Sequence, residues 1–274
     1  MSDEEDVALR AASGRRARAA VLAIAVAGLL ASCGSSTSTS SSATTARRAG
    51  AASSPSAARP TVLAAASLTK VFPTIDPNAK YTFGGSGALQ ADIEEGAPAD
   101  VFAAASPKQP AALLAKGLVA NPIKFATNTL VLIVPKDNPA HIRSVSDITK
   151  PGVKLVICDA SVPCGDYARN VFKNLEITNA AMKNVVSQTT DVTQTVAEVA
   201  LGQADAGFVY ITDADAAKGK VVAIHLPARA KPGAKDYIAV VKSAPHPAAA
   251  RAFVAAVMSQ AGQAKLRAAG FGAP

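Results

Sequence analysis

The stretch "TFGGSGALQADIEEGAPADVF", Thr82 to Phe102, decides how the chain is read. A short β-rich run ends in Gly84-Gly85-Ser86-Gly87, a helical window follows, and "ADVFAAAS" opens another apolar run. Strand, Gly-rich turn, helix, strand is the grammar of a βαβ unit. A turn with so little side chain exposes its own amides. At a helix N-terminus those amides point outward with the positive end of the dipole behind them, which suits an anion. Such turns are also commonly mere tight turns, and a serine there commonly a helix cap, so the stretch acquires meaning only with its neighbours.

Outward from this unit the alternation continues over Thr61 onward, and an α/β architecture with parallel strands is expected. "TVLAAAS" reads as a buried strand leading to a short helix begun at Ser67 and ended at Asp76-Pro77. Ser106-Pro107 opens a helix that stops at Lys116-Gly117. "TLVLIVPK", Thr129–Lys136, is a strand long enough to pass between two lobes, and Tyr237–Val241 is the second expected crossover. "VKLVICD", "KNVVSQ", "AGFVYITDA" and "KVVAIHL" are further strands, Val192 opens a helix ending near Leu201-Gly202, and the tail from Pro247 to Ala269 is helical. The expected division is lobe 1 over 61–128 and 242–274, and lobe 2 over 129–241. Ligands in such sheets sit beyond the carboxyl ends of strands.

The first sixty residues follow other rules. Arg15, Arg16 and Arg18 precede an apolar run from Ala19 to Leu30, too short to span a bilayer but right for a signal-peptide core. It closes with "LLASCG", which resembles the lipobox of bacterial lipoproteins, so 1–32 is expected to be a lipoprotein signal peptide and Cys33 the lipidated residue of an extracytoplasmic, membrane-anchored protein. Residues 33–60, rich in Ser, Thr and Ala, cannot build a core and read as a flexible tether. The acidic start "MSDEED" is unusual ahead of an export signal and leaves the true start open.

Three cysteines then become informative: with Cys33 lipidated, Cys158 and Cys164 remain as an even pair in an oxidising setting, a possible disulfide. The formal charge of +8 is spread thinly. Residues 1–32 contribute nothing net, Arg47, Arg48 and Arg59 contribute +3, and the remaining +5 includes no dense basic run. With no tryptophan and few aromatics, the stacking platforms of nucleic-acid binders are missing, and nucleic acid is not expected as a partner. A serine hydrolase would need a base beside Ser67 or Ser86. His141, His225 and His246 lie in loop or strand-end contexts, are read as solvated, and no G-x-S-x-G elbow occurs. Asp100, Asp191 and Asp213 sit at element ends, where capping is the commoner role. No H-x-x-x-H or C-x-x-C spacing suggests a metal site.

Four strand-to-helix turns remain, at Ser67, Ser86, Cys164 and Val192, and Tyr210 ends "GFVY". Each turn can offer an amide, the serines add hydroxyls, and the tyrosine adds a phenol. In this order and spacing, "AAASLT", "FGGSGALQADIEEGAPADVF", "VPCGDYA", "TTDV" and "GFVYITDA" resemble the molybdate-binding proteins of bacterial ABC importers, over essentially all of 61–272. The resemblance implies a two-lobe, type II periplasmic-binding-protein-like fold that closes on a tetrahedral oxyanion, with no cofactor and no metal besides the molybdenum of the ligand. Hydroxyl and amide donors would come from Ser67 and Ser86, backbone amides from Cys164 and Val192, and the hydroxyl from Tyr210. It also implies a monomer, not an enzyme, that carries molybdate, and tungstate too, to the permease of an importer. The chain departs from the family in a shorter segment between Ser67 and Ser86 and in Gly87, where a serine or threonine is usual. Sulfate as the oxyanion, and a serine hydrolase lipoprotein, are the alternatives carried forward.

Overall fold

The computed structural model describes residues 58–231 and 233–274. The signal-peptide reading of 1–32, Cys33 and all but the last residues of the tether lie outside the described residues.

The strands are β1 (Thr61–Ala65), β2 (Lys80–Gly84), β3 (Val101–Ala104), β4 (Val119–Pro135), β5 (Leu155–Cys158), β6 (Val185–Thr189), β7 (Ala206–Tyr210), β8 (Val221–His225) and β9 (Gly233–Val241). The helices are α1 (Phe72–Ile75), α2 (Ser86–Glu94), α3 (Lys108–Ala115), α4 (Pro163–Asn174), α5 (Thr178–Lys183), α6 (Val192–Ala200), α7 (Ile211–Ala216), α8 (Pro247–Met258) and α9 (Gln260–Ala268). Strand order is β2-β1-β3-β9-β4-β7-β5-β6, with β8 paired to β4. The fold is therefore mixed α/β, built from two groups of strands that share β4.

The first group joins β2, β1 and β3 in parallel, with β9 antiparallel to β3 and to the N-terminal part of β4. The second group hangs on the rest of β4, where Leu130 to Ile133 pair antiparallel with β7, and β5 runs parallel to both β6 and β7. The expected parallel pairing holds within β2-β1-β3 and β6-β5-β7, and the sheet as a whole is mixed because β4 and β9 run against their neighbours. β9 pairs throughout with the first group, from Thr129↔Gly233 to Val119↔Val241, so the chain has already returned by Gly233.

Three local expectations also change. β4 begins at Val119, ten residues before Thr129. Its early part contains Asn121-Pro122, a breaker pair absorbed by a register shift between Ala120 and Ile123, with Asn121 at φ 43°. "AGFVYITDA" is a strand only to Tyr210; Asp213 then accepts the Tyr210 N–H at 3.1 Å and the chain turns into α7. The helical tail breaks at Ser259, which ends α8 and caps α9 by accepting from the Gly262 amide at 3.0 Å.

Each group has its own apolar packing. In the first, Leu63, Leu89, Ile93, Phe102 and Leu113 close one face, while Phe72 meets Phe125 and Phe253 on the other at ring separations of 5.8 and 5.4 Å. In the second, Phe172 of α4 packs edge-on to Phe208 of β7 at 5.3 Å. The C-terminus returns to the junction, where Thr127 and Gly272 exchange backbone hydrogen bonds and Asn128 Nδ2 donates to Thr212 Oγ1 at 2.9 Å. This arrangement brings the carboxyl ends of β1, β2 and β3 opposite the turns that follow β5, β6 and β7.

Candidate functional site

At that meeting point lies a small cavity lined by Ser67, Ser86, Cys164, Val192 and Tyr210, together with the backbone of Gly84, Gly85 and Ala105. All five residues singled out from the sequence therefore face one space. Its volume is ≈ 10 Å³, about the room of one water-sized sphere. As it stands that space excludes a sugar, a peptide or an organic cofactor.

Each donor is placed by the element it begins or ends. Ser67 follows β1 in the single 3₁₀ turn Ala66–Leu68 and is 8% exposed, with no partner for its Oγ among the described residues. Ser86 starts α2; its Oγ accepts the Ala105 amide at 3.2 Å, which leaves the hydroxyl proton free to be donated. Ala105, at the end of "ADVFAAA", is a positioning group that was not singled out from the sequence. Its signal was present in the small residues ending β3. Cys164 and Val192 lie in the first turns of α4 and α6, where amides have no intrahelical acceptor. Tyr210 ends β7 and is 2% exposed, its hydroxyl likewise without a partner.

Unpaired buried hydroxyls are uncommon in folded proteins and call for an occupant. Two hydroxyls without a protein partner among the described residues, a third hydroxyl with its proton spare, and the amides of first helical turns converge here, so the cavity is lined by hydrogen-bond donors. No Lys, Arg or His is among its lining residues. The one carboxylate there, Asp191, is turned to capping α6 and accepts from the Gln194 amide at 3.0 Å. Burial, with Asp236 nearby, holds the Tyr210 phenol well above its ordinary pKa, so it donates and does not ionise. Asp236 on β9 is fully buried, neither carboxyl oxygen has a partner among the described residues, and burial, with Asp213 nearby, raises its pKa well above the usual carboxylate range. Asp213, partly buried behind Tyr210, is pushed up to about 7 by burial, against the lowering effect of the Tyr210 N–H.

The other candidates are dispersed. Cys158 and Cys164 are joined in a disulfide with 5.8 Å between their Cα atoms, which closes the turn from β5 into α4. His246 is not merely solvated: its backbone N–H and its Nδ1 both meet the buried Asp100 carboxylate, at 2.6 and 3.1 Å. Asp100 also accepts the Thr61 amide, so it ties β1 to the start of α8 and has no part in the cavity. The glycines of the opening turn play a second part beside lining the cavity. A Cβ on Gly84 would meet only Leu89 at ordinary distance, whereas one on Gly85 would strike the Thr190 carbonyl and one on Gly87 the Ser161 carbonyl at 2.5 Å. Gly85 and Gly87 make room for the opposite group of strands.

A fold of two α/β halves with a small, donor-lined cleft between them defines a solute-binding protein. The sequence profile of bacterial extracellular solute-binding proteins matches residues 60–272, and the chain belongs to that family. The molybdate-binding protein ModA of Mycobacterium tuberculosis H37Rv is 40% identical over 223 residues, covering 78% of this chain and 84% of its own. Among solved structures, the periplasmic molybdate-binding protein of Azotobacter vinelandii superposes with a TM-score of 0.69 at 24% identity, over 79% of this chain and all of its own. The sulfate-binding protein SubI of Mycobacterium tuberculosis superposes with a TM-score of 0.65 at 18% identity, over 78% of this chain and 86% of its own. These two likenesses show the type II periplasmic binding fold, and they share it across different anions. The family consists of solute-binding proteins and not enzymes, which removes the serine hydrolase alternative.

Proposed function

We propose that the protein captures molybdate outside the cytoplasmic membrane and delivers it to the permease of an ABC importer, acting as a monomer held to the membrane by a lipid on Cys33. The observation that carries this reading is the convergence of neutral donors, with no cation, on one small cavity. A cation in the pocket would attract any oxyanion, whereas neutral donors fixed at one radius reward the anion whose oxygens reach them. Hydrogen bonds to a charged group contribute roughly 1.5–3 kcal/mol each. Half a dozen, less dehydration and closure, support sub-micromolar affinity. Tungstate, a tetrahedral dianion of the same geometry, is expected to bind as well, and sulfate more weakly. Calorimetric titration of the purified protein with molybdate, tungstate and sulfate tests this. Tight binding of the first two is expected, and a preference for sulfate over both would overturn it.

A further inference from the structure

The turn between β5 and α4 touches the other half of the molecule outside the cavity. Ser161 is exposed at its apex and is held there twice, its N–H and its Oγ both donating to Asp159 Oδ1 at 2.9 and 2.8 Å. The Val162 amide bonds back to the Asp159 carbonyl at 3.1 Å, and the Cys158–Cys164 bridge closes the base of the turn. The Ser161 carbonyl is thereby presented in a fixed direction. It accepts from Gln109 Nε2 of α3 at 3.4 Å and lies against the bare Cα of Gly87 in α2, where a Cβ would come within 2.5 Å of it. Gln109 is only 4% exposed, its Oε1 has no partner among the described residues, and the Ser161 carbonyl is the one hydrogen-bond acceptor its side chain reaches there. Gly87 does not have a positive φ, so its backbone alone gives no reason for glycine. Neither Gly87, Gln109 nor Ser161 lines the cavity.

We propose that the Asp159–Val162 turn is a latch received by Gly87 and Gln109, and that this contact determines how long the closed cleft retains its ion. The inference rests on the oxyanion reading of the cavity. Affinity among related complexes is tuned mostly through the rate of release, and a contact made only when the two halves meet acts on that rate without touching the ion. Gly87→Ala puts a methyl group against a carbonyl that the disulfide-closed turn holds in place. In the open protein the same change is benign, because alanine favours a helix over glycine. Gln109→Glu keeps the shape and sets a carboxylate oxygen against the Ser161 carbonyl.

The test compares wild type, Gly87→Ala and Gln109→Glu in three measurements: the rate at which bound radiolabelled molybdate is lost into excess unlabelled ion, the rate of uptake, and the radius of gyration by small-angle scattering with and without molybdate. Expected are ligand-free thermal midpoints like wild type, uptake within about twofold, release faster by about tenfold or more, and a smaller contraction on binding for Gly87→Ala. Folded variants that release the label at the wild-type rate would overturn the latch alone. If Gly87→Ala does not fold, Gln109→Glu decides by the same rates. A wild type that takes up no oxyanion overturns the reading of the cavity and the latch with it.

Discussion

Ser67, Ser86 and Tyr210 carry the hydroxyls of the cavity, and each can be removed with little change in shape. Ser86→Ala deletes one donor to a charged ligand, so molybdate should bind about ten- to a hundred-fold more weakly by calorimetry, a loss of roughly 1.5–3 kcal/mol. Tyr210→Phe should lose a similar amount while keeping its edge-on packing against Tyr167 at 6.4 Å. Unchanged affinity in Ser67→Ala, Ser86→Ala and Tyr210→Phe alike would mean that the ion, if any, sits elsewhere. Asp213 adds a pH dependence. Its carboxyl pKa in the fold is raised to about 7, above the unfolded value of roughly 3.9. The fold thus holds its proton more tightly than the unfolded chain does, and the resulting stability is complete below the unfolded pKa and lost as pH rises through about 7. The ligand-free thermal midpoint should fall as pH rises from about 4 to about 7 and level off above it, and Asp213→Asn, which can still accept from the Tyr210 amide, should flatten the curve. A dianion bound beside Tyr210 favours the protonated forms of Asp213 and Asp236 further. Binding should therefore take up protons, seen as a buffer-dependent heat.

At the scale of elements, the disulfide closes a small loop, so its chain-entropy contribution is modest. Replacing Cys158 and Cys164 together by alanine should cost about 2 kcal/mol, read from the urea midpoint with the slope unchanged. A loss near zero would show that the bridge does not stabilise the fold. The elements also differ in how clearly they were written in the sequence. β1, β2, β3, α2 and α6 were legible because apolar runs and small-residue turns alternate cleanly there, and the candidate site was legible for the same reason: each of its donors sits at a boundary marked by Ser, Gly, Pro or Asp. The first ten residues of β4 were not, because Asn121-Pro122 is ordinarily a loop signal and only the β9 partner, more than a hundred residues away in sequence, makes it a strand. α5, Thr178–Lys183, was missed as well, since six residues are too few to show a helical period. The contact of Gly87 with Ser161 could not be read at all, because it belongs to the meeting of two halves and not to either one.

For the whole molecule, the closed cleft links binding to stability. Molybdate at a hundred times its dissociation constant should stabilise the fold by about 2.7 kcal/mol, and differential scanning should show the same order among anions as calorimetry does. The proposed anchor is tested on the full chain: Cys33→Ala should release the protein from membranes or leave its leader uncleaved, and equal retention with normal processing would remove the lipid from the account. The position of Tyr210 has a further, optical consequence. The chain contains no tryptophan and four tyrosines, so its near-ultraviolet emission is tyrosine emission alone. Of these rings, Tyr210 lines the cavity, whereas the Tyr81 hydroxyl is occupied by the Phe72 and Asp76 carbonyls at 3.0 and 2.7 Å. An excited phenol that donates to an anion loses intensity as its proton shifts toward the acceptor. The unlabelled protein should dim as the cleft fills, and in Tyr210→Phe that signal should vanish, so occupancy can be followed in dilute solution by light alone.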